Sequence, residues 1–256
     1  LIDATGIEPA LAATYACSGL TAYSALNKVT IDRERDLLLI VGLGGSSRGW
    51  QALQVPEFSV QHRTVTFDHR GVGESEDPGG AFSTADLADD TARLLDVLGI
   101  ARAHVLGAFM GGMVAQELAL RHPGRVERLV LVGTYARPDA KRRMLLEKWK
   151  AMIEHGLPLE LVAQERMLWT LSDETLEQTD LIDPMMQGFL RDRFTMPDDV
   201  FLRQCDACLG HDALARLESL RQPTLIVCGN EDLLTPPRLH RELSAAVPDA
   251  QLVTIP

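Results

Sequence analysis

The sequence predicts an α/β domain that has a mostly parallel sheet and a helical cap inserted into it. Short apolar runs that suit strands alternate with longer segments of helical spacing, and glycine-rich turns follow several of these runs. The alternation stops at about residue 137 and resumes at about residue 220. Strands that alternate with helices require a parallel sheet with right-handed crossovers. We therefore assign residues 1–137 and 220–256 to the α/β core and residues 138–219 to the helical cap.

The first part of the chain contains four predicted elements. They are a hairpin at 11–26, a strand at 37–41, a strand at 62–67 and a helix at 84–98. The continuous apolar run at 37–41 is typical of a strand that is buried on both faces. Ser83 or Thr84 can cap the helix, and Gly99 can end it.

The later predicted elements of the core also alternate between strands and helices. They are a strand and helix on either side of residue 109, strands at 126–132 and 224–229, a helix at about 237–246 and a strand at 251–255. The intervening cap is rich in Met, Leu and Trp, and we expect its helices to break at Pro158, Pro184 and Pro197. Because Pro256 directly follows a strand, we expect a longer polypeptide.

Composition limits the classes of partner. The formal net charge of −11 argues against nucleic-acid binding, which needs a basic face, and against an anionic membrane surface. No apolar run approaches the ~18 residues that a spanning helix needs. The four cysteines do not make a disulfide framework, so we expect reduced thiols and a cytoplasmic location.

The most informative motif is Gly107-Ala108-Phe109-Met110-Gly111. It lies between an apolar strand and a helix, and its glycines permit a sharp turn. The side chain at the centre of this turn is a benzyl group, which has no lone pair and no acidic proton. Phe109 therefore cannot act as a nucleophile that forms an acyl-enzyme.

Three further motifs follow predicted strands. Residues 41–45 read Val-Gly-Leu-Gly-Gly, and these glycines let the backbone pass close to a ligand. Residues 68–75 read Asp-His-Arg-Gly-Val-Gly-Glu-Ser; we favour a structural role for them, in which polar side chains hold the loop and His69 is exposed or structural. The third motif, Gly229-Asn230-Glu231-Asp232, ends the strand at 224–229.

In this order the motifs resemble those of the α/β-hydrolase superfamily, in particular small bacterial esterase-like and lactonase-like members such as enol-lactonases. The family has Gly-x-Ser-x-Gly at its nucleophile elbow. The resemblance implies that Phe109 occupies the nucleophile position, that the N–H groups of Leu43 and Met110 are the oxyanion donors, and that Asp232 is the triad acid. It also implies a histidine base after the last strand. None of the seven histidines lies there, so we expect the base beyond Pro256.

Structural alternatives to these roles remain open. The turn at 41–45 could connect strand and helix without binding anything. Asp232, which precedes Pro236 and Pro237, could instead cap the helix that begins there. Glu231 is an alternative candidate for the triad acid. Cys205, Cys208 and His211 have the spacing of metal ligands, but we favour two packed thiols because a zinc site wants a fourth ligand.

Three functions remain for such a chain. The resemblance implies an ester or lactone hydrolase lineage with no metal and no cofactor, in which this chain has lost serine-type catalysis. The second is a small-molecule-binding protein that keeps the pocket, and the third is a cofactor-free enzyme with non-hydrolytic chemistry. In each case the expected partner is a small, mostly apolar molecule such as an ester or lactone.

Overall fold

Six parallel strands form one sheet in the computed structural model, which describes residues 36–51, 54–193 and 196–255. The strands are β1 (Asp36–Ile40), β2 (Thr64–Thr66), β3 (Ala103–Ala108), β4 (Val126–Val132), β5 (Thr224–Gly229) and β6 (Gln251–Ile255). Their order across the sheet is β2-β1-β3-β4-β5-β6. The mostly parallel sheet is therefore confirmed, whereas the hairpin expected at 11–26 lies outside the described residues.

Nine α-helices accompany the sheet within the described ranges. They are α1 (Gln54–Phe58), α2 (Thr84–Val97), α3 (Met110–Arg121), α4 (Ala140–Glu154), α5 (Leu159–Thr170), α6 (Asp173–Leu176), α7 (Thr179–Arg193), α8 (Asp198–Leu209) and α9 (Pro237–Ala246). Short 3-10 helices lie at Ser47–Trp50, Pro123–Arg125 and Leu214–Ser219. None of the helices in the described part is both long and apolar enough to cross a bilayer.

Alternating residues of β1 contribute side chains to two apolar clusters, one on each face of the sheet. Leu38 and Ile40 pack with the cluster that contains α2 and α3, while Leu37 and Leu39 pack with the cluster on the opposite face. All four side chains are fully buried. Burial of one such leucine contributes about 1.5–3 kcal/mol, so the four buried positions of this strand need apolar residues.

The first long helix begins and ends as its sequence predicts. Ser83 is the N-cap of α2: its side chain accepts from the N–H of Asp86, and the Asp86 carboxylate accepts from the N–H of Ser83 in return. Gly99 follows the helix with φ = 67°, a conformation that suits glycine.

The helical segment, residues 138–219, contains α4–α8 and no strand among its described residues. Pro158 and Pro197 directly precede α5 and α8. The break expected at Pro184 is wrong, because that proline lies inside α7. Proline removes a single N–H donor from a helix, and α7 continues through this local loss.

Candidate active site

The loops that follow four strands meet at one edge of the sheet. Because parallel strands point the same way, the carboxyl ends of β1, β3, β4 and β5 share this edge. In open α/β sheets this edge is where ligands bind. A small cavity of about 70 Å³ lies here, and Leu43, Phe109 and Thr235 are among the residues that line it.

Phe109 lies between β3 and α3 in a backbone conformation that is unusual for a bulky residue, with φ = 52° and ψ = −118°. Its N–H donates to the carbonyl oxygen of Val132 at 3.1 Å. Its carbonyl oxygen accepts from the Thr134 hydroxyl at 2.8 Å. Such a conformation costs about 1–3 kcal/mol and persists only where the surroundings enforce it. Bonds to both residues, which lie at and just beyond the end of β4, therefore help to hold the turn.

Two glycines let the loop after β1 approach this turn closely. A β-carbon on Gly111 would lie 2.1 Å from the carbonyl oxygen of Ile40, and one on Gly42 would lie 3.0 Å from Cβ of Phe109. Only glycine fits at position 111, and a β-carbon at position 42 would require its neighbours to shift by a few tenths of an ångström. The start of α3 is thereby pressed against the loop after β1.

The ring of Phe109 lies between the loops after β1 and β4. Cδ2 is 3.2 Å from the position of a β-carbon on Gly42, and Cε1 is 3.2 Å from that of one on Gly133. The ring also packs, partly buried, against the apolar cluster that contains Leu39 and Val132. A hydrocarbon group thus occupies the tip of the turn.

Leu43 and Met110 both line the cavity beside Phe109. Met110 is the first residue of α3. A backbone N–H at this position has no intrahelical acceptor and lies at the positive end of the helix dipole. The Leu43 carbonyl oxygen accepts from Nη2 of Arg166 at 2.8 Å. This hydrogen bond attaches the loop after β1 to the helical segment. The geometry brings these two residues together, and their role as oxyanion donors stays a prediction.

Asp232 lies in the turn after β5, beside the cavity. Its carboxylate accepts from the Thr235 N–H at 2.7 Å and from the Thr235 hydroxyl. Burial raises the pKa of Asp232, although these hydrogen bonds oppose the shift. Glu231 is exposed. Asp232 therefore stabilises its own turn, and its role as triad acid stays a prediction.

None of the seven histidines lines this cavity. The imidazole of His240 supports the turn indirectly, because its Nε2 accepts from the Thr134 N–H at 3.2 Å. Burial lowers the pKa of His240 to about 4, so the ring is neutral near pH 7. His69 is buried, and its Nε2 lies 3.1 Å from the carbonyl oxygen of Val41. The prediction that His69 is exposed is therefore wrong, and its contact with Val41 fits a structural role.

The loop at 68–75 makes structural contacts. The Asp68 carboxylate accepts from the Ser47 N–H at 2.6 Å, and the Ser75 hydroxyl donates to the Asp68 carbonyl oxygen at 2.7 Å. Arg70 donates to Asp90 of α2 at 2.7 Å. These bonds match the structural interpretation of the motif.

The two thiols of the helical segment are packed in the apolar core. Cys205 and Cys208 are free and buried in α8. Burial raises the pKa of Cys205 to about 12. Within the described ranges no group of three or more His, Cys, Asp or Glu side chains could hold a metal ion.

Two arginines of the cavity wall were missed by the sequence reasoning. Arg142 from α4 and Arg166 from α5 line the cavity together with apolar residues. A single arginine in an amphipathic helix carries no sequence signal that distinguishes it from a surface arginine. The apolar residues of the same wall are Leu43, Phe109, Met110, Met113, Leu145, Leu146, Trp149 and Leu234.

Comparison with known proteins agrees with this geometry. A family model described as the alpha/beta hydrolase fold matches residues 37–256. The chain belongs to the α/β-hydrolase family.

Individual relatives have several different named activities. A curated relative from Mycobacterium tuberculosis, which carries the provisional name non-heme bromoperoxidase BpoC, is 33% identical over 224 residues, or 86% of this chain and 84% of the relative. The crystal structure of a hydrolase from Pseudomonas aeruginosa PA01 matches with a TM-score of 0.78 at 30% identity, covering 87% of this chain and 82% of that one. The enol-lactonase from Burkholderia xenovorans LB400 matches with a TM-score of 0.74 at 26% identity, covering 86% of this chain and 82% of that one. The two solved structures share the fold of this chain, and one of them is named a lactonase.

Proposed function

We propose that this chain belongs to the ester and lactone hydrolase lineage of its family, with Phe109 at the nucleophile position. Serine-type hydrolysis is then absent from the chain as its sequence stands. The observation that carries the proposal is the backbone of Phe109, with φ = 52° and ψ = −118° between β3 and the start of α3. A strained strand-to-helix turn of this kind is how the family presents its nucleophile.

The lineage mechanism assigns a step to each neighbouring group. A side chain at position 109 would attack the carbonyl carbon, and the N–H groups of Leu43 and Met110 would stabilise the oxyanion that forms. Asp232 would orient a histidine base that follows the last strand. The first step fails in this chain because the ring of Phe109 has no electron pair to donate. Backbone donors do not depend on that side chain, so the anion-attracting part of the site is retained.

The helical segment serves as the cap over this site in our proposal. Arg166 bonds the Leu43 carbonyl oxygen, and the Gln204 side-chain oxygen accepts from the Gly44 N–H at 2.9 Å. Both contacts connect the segment to the loop after β1. A cap of apolar helices over the elbow favours a small ester or lactone as the ligand. We also propose a cytoplasmic location, which the buried free thiols support.

The test restores a hydroxyl at the elbow. Phe109→Ser and the control Phe109→Ala are compared with the unmodified protein on p-nitrophenyl butyrate, using protein that includes any residues encoded after Pro256. We expect Phe109→Ser to exceed both others by well over about tenfold, since loss of a nucleophile costs several orders of magnitude. The alanine control separates the new oxygen from the mere removal of the ring.

The alternative is a small-molecule-binding protein. The observation that favours it is that the Phe109 ring itself forms part of the cavity wall, as expected for a pocket used only for binding. Equal rates for Phe109→Ser and Phe109→Ala would refute the hydrolase proposal and favour the binding function.

A further inference from the structure

The wall of the candidate-site cavity carries hydroxyl groups on three of its described residues, Tyr135, Thr170 and Thr235. The two threonine hydroxyls are engaged within the fold. Thr170 donates to the carbonyl oxygen of Arg166 at 3.0 Å, and Thr235 donates to the Asp232 carboxylate. The Tyr135 hydroxyl has no hydrogen-bond partner among the described residues. Of these three hydroxyl groups, the fold therefore leaves that of Tyr135 free to bond a ligand.

Tyr135 is buried in an apolar environment beside the cavity. The residue is 5% exposed and belongs to the apolar cluster that contains Met110 and Trp149 of the cavity wall. Burial raises the pKa of Tyr135 well above its usual range, so the phenol keeps its proton near pH 7. The side chains of Cys208 and Arg142 also influence this pKa, and both line the cavity, which places the phenol oxygen on the cavity side. A buried donor without an acceptor destabilises a folded protein, and an acceptor on a ligand removes this cost.

The backbone around Tyr135 is fixed by hydrogen bonds to other elements. The Tyr135 carbonyl oxygen accepts from Nε2 of Gln116 at 3.1 Å, and the next carbonyl oxygen along the chain accepts from the Ala213 N–H at 2.9 Å. The preceding residue, Thr134, donates its hydroxyl to the Phe109 carbonyl oxygen at 2.8 Å. A donor on a backbone held in this way is preorganised and loses little freedom when it binds a ligand.

We propose that Tyr135 determines the ligand specificity of this cavity, and that its hydroxyl donates a hydrogen bond to a carbonyl oxygen on an otherwise apolar molecule. The proposal rests on the proposed function, because it names the residue that recognises the ligand in the same cavity. A carbonyl group suits a single phenol better than an alcohol does. Phenol and carbonyl together leave no donor unpaired, whereas phenol and alcohol bring two O–H donors, of which only one can bond the other group.

Two probes of the same shape test this donor. Cyclopentanone carries the carbonyl oxygen, and methylenecyclopentane carries a CH₂ group in its place. NMR titration measures both dissociation constants in the unmodified protein and in Phe109→Ala, whose cavity is larger, each with and without Tyr135→Phe. We expect Tyr135→Phe to weaken cyclopentanone binding about fivefold and to leave methylenecyclopentane binding no weaker, since one neutral hydrogen bond is lost. Each probe is compared between two proteins, so the different hydration of the two probes cancels.

Two results of this titration would overturn the proposal. One is an equal effect of Tyr135→Phe on both probes. The other is the absence of cyclopentanone binding in both the unmodified protein and Phe109→Ala. Cyclopentanol tests the choice of a carbonyl group: if Tyr135→Phe weakens cyclopentanol more than cyclopentanone, that choice is wrong.

Thr170→Val is the matched control, because it removes a hydroxyl of the same wall that is already bonded within α5. This variant should leave the ratio of the two affinities unchanged. A loss of preference equal to that in Tyr135→Phe would show only a general effect of wall polarity and would refute the assignment to Tyr135.

The stability of Tyr135→Phe separates a ligand-binding hydroxyl from a structural one. Without ligand, its urea midpoint should be no lower than that of the unmodified protein, because no hydrogen bond within the fold is lost. A lower midpoint would show that the hydroxyl has a structural partner and would refute the proposal.

These experiments fail independently of the esterase test. A gain of esterase activity in Phe109→Ser without a selective effect of Tyr135→Phe on cyclopentanone would refute the role of Tyr135 and leave the hydrolase lineage standing. A selective effect on cyclopentanone without a gain of activity would do the reverse.

Discussion

Glycine should be more stabilising than alanine at position 109, which reverses the usual order of these residues. Phe109→Gly and Phe109→Ala both remove the ring, and they lose the same packing apart from one methyl group. They differ in the backbone, because φ = 52° with ψ = −118° is accessible to glycine and strained for alanine. The comparison therefore isolates the strain of the turn.

The magnitude follows from two opposing terms. Strain of this kind costs a residue with a β-carbon about 1–3 kcal/mol. Glycine loses more backbone freedom on folding than alanine, which costs it about 0.5–1 kcal/mol. The midpoints of these two ranges predict that Phe109→Gly has a free energy of unfolding about 1 kcal/mol above that of Phe109→Ala.

Urea denaturation followed by circular dichroism measures this difference. The control is Ala108→Gly, one residue earlier in β3, where glycine should be the less stable residue by about 0.5–1 kcal/mol. If alanine equals or exceeds glycine at position 109 as well, the turn is not strained and the assignment of the elbow is wrong.

Two further perturbations test the surroundings of the turn. Gly111→Ala places a β-carbon 2.1 Å from the Ile40 carbonyl oxygen and should cost more than about 2 kcal/mol in urea denaturation. Gly124→Ala, which would contact nothing within 4 Å, should be nearly neutral, and equal effects would contradict the close approach. The pKa of His240 is lowered to about 4, so the unfolded chain binds the extra proton and stability should fall as the pH drops from about 6.5 towards 4. His240→Gln keeps an acceptor for the Thr134 N–H and should reduce the slope of unfolding free energy against pH by up to about 1.4 kcal/mol per pH unit. An unchanged slope would show that His240 is not the group responsible.

The elements of the core were predictable because local signals agree with the fold. The run at 37–41 is apolar at every position, and β1 is buried on both faces. Ser83 and Gly99 delimit α2 from opposite ends as their capping preferences predict. The strand at 224–229 occupies the predicted residues because a short apolar run is bounded by proline and glycine.

Contacts between distant segments were not predictable. Pro184 has the local signature of a break, yet α7 passes through it, and only the three-dimensional packing decides such a case. The role of His240 depends on a hydrogen bond to Thr134, more than one hundred positions away. Arg142 and Arg166 reach one cavity from two different helices, a convergence that no spacing in the sequence records.

The candidate site itself was partly predictable. The turn at Phe109 has a sequence signature because its glycines are needed where chains approach closely. Leu43, from the motif at 41–45, and Met110, directly after the turn, both line the cavity. Asp232 is different: the sequence places it beside the cavity, but only the structure shows that Thr235 bonds its carboxylate.

Covalent labelling tests the identity of position 109 most directly. Unmodified protein and Phe109→Ser, each including any residues encoded after Pro256, are treated with a fluorophosphonate and measured by intact-mass and peptide mass spectrometry. We predict one adduct on the introduced serine and none on the unmodified protein. An adduct on the unmodified protein, or an adduct of the variant at another residue, would show that the attacking group lies elsewhere.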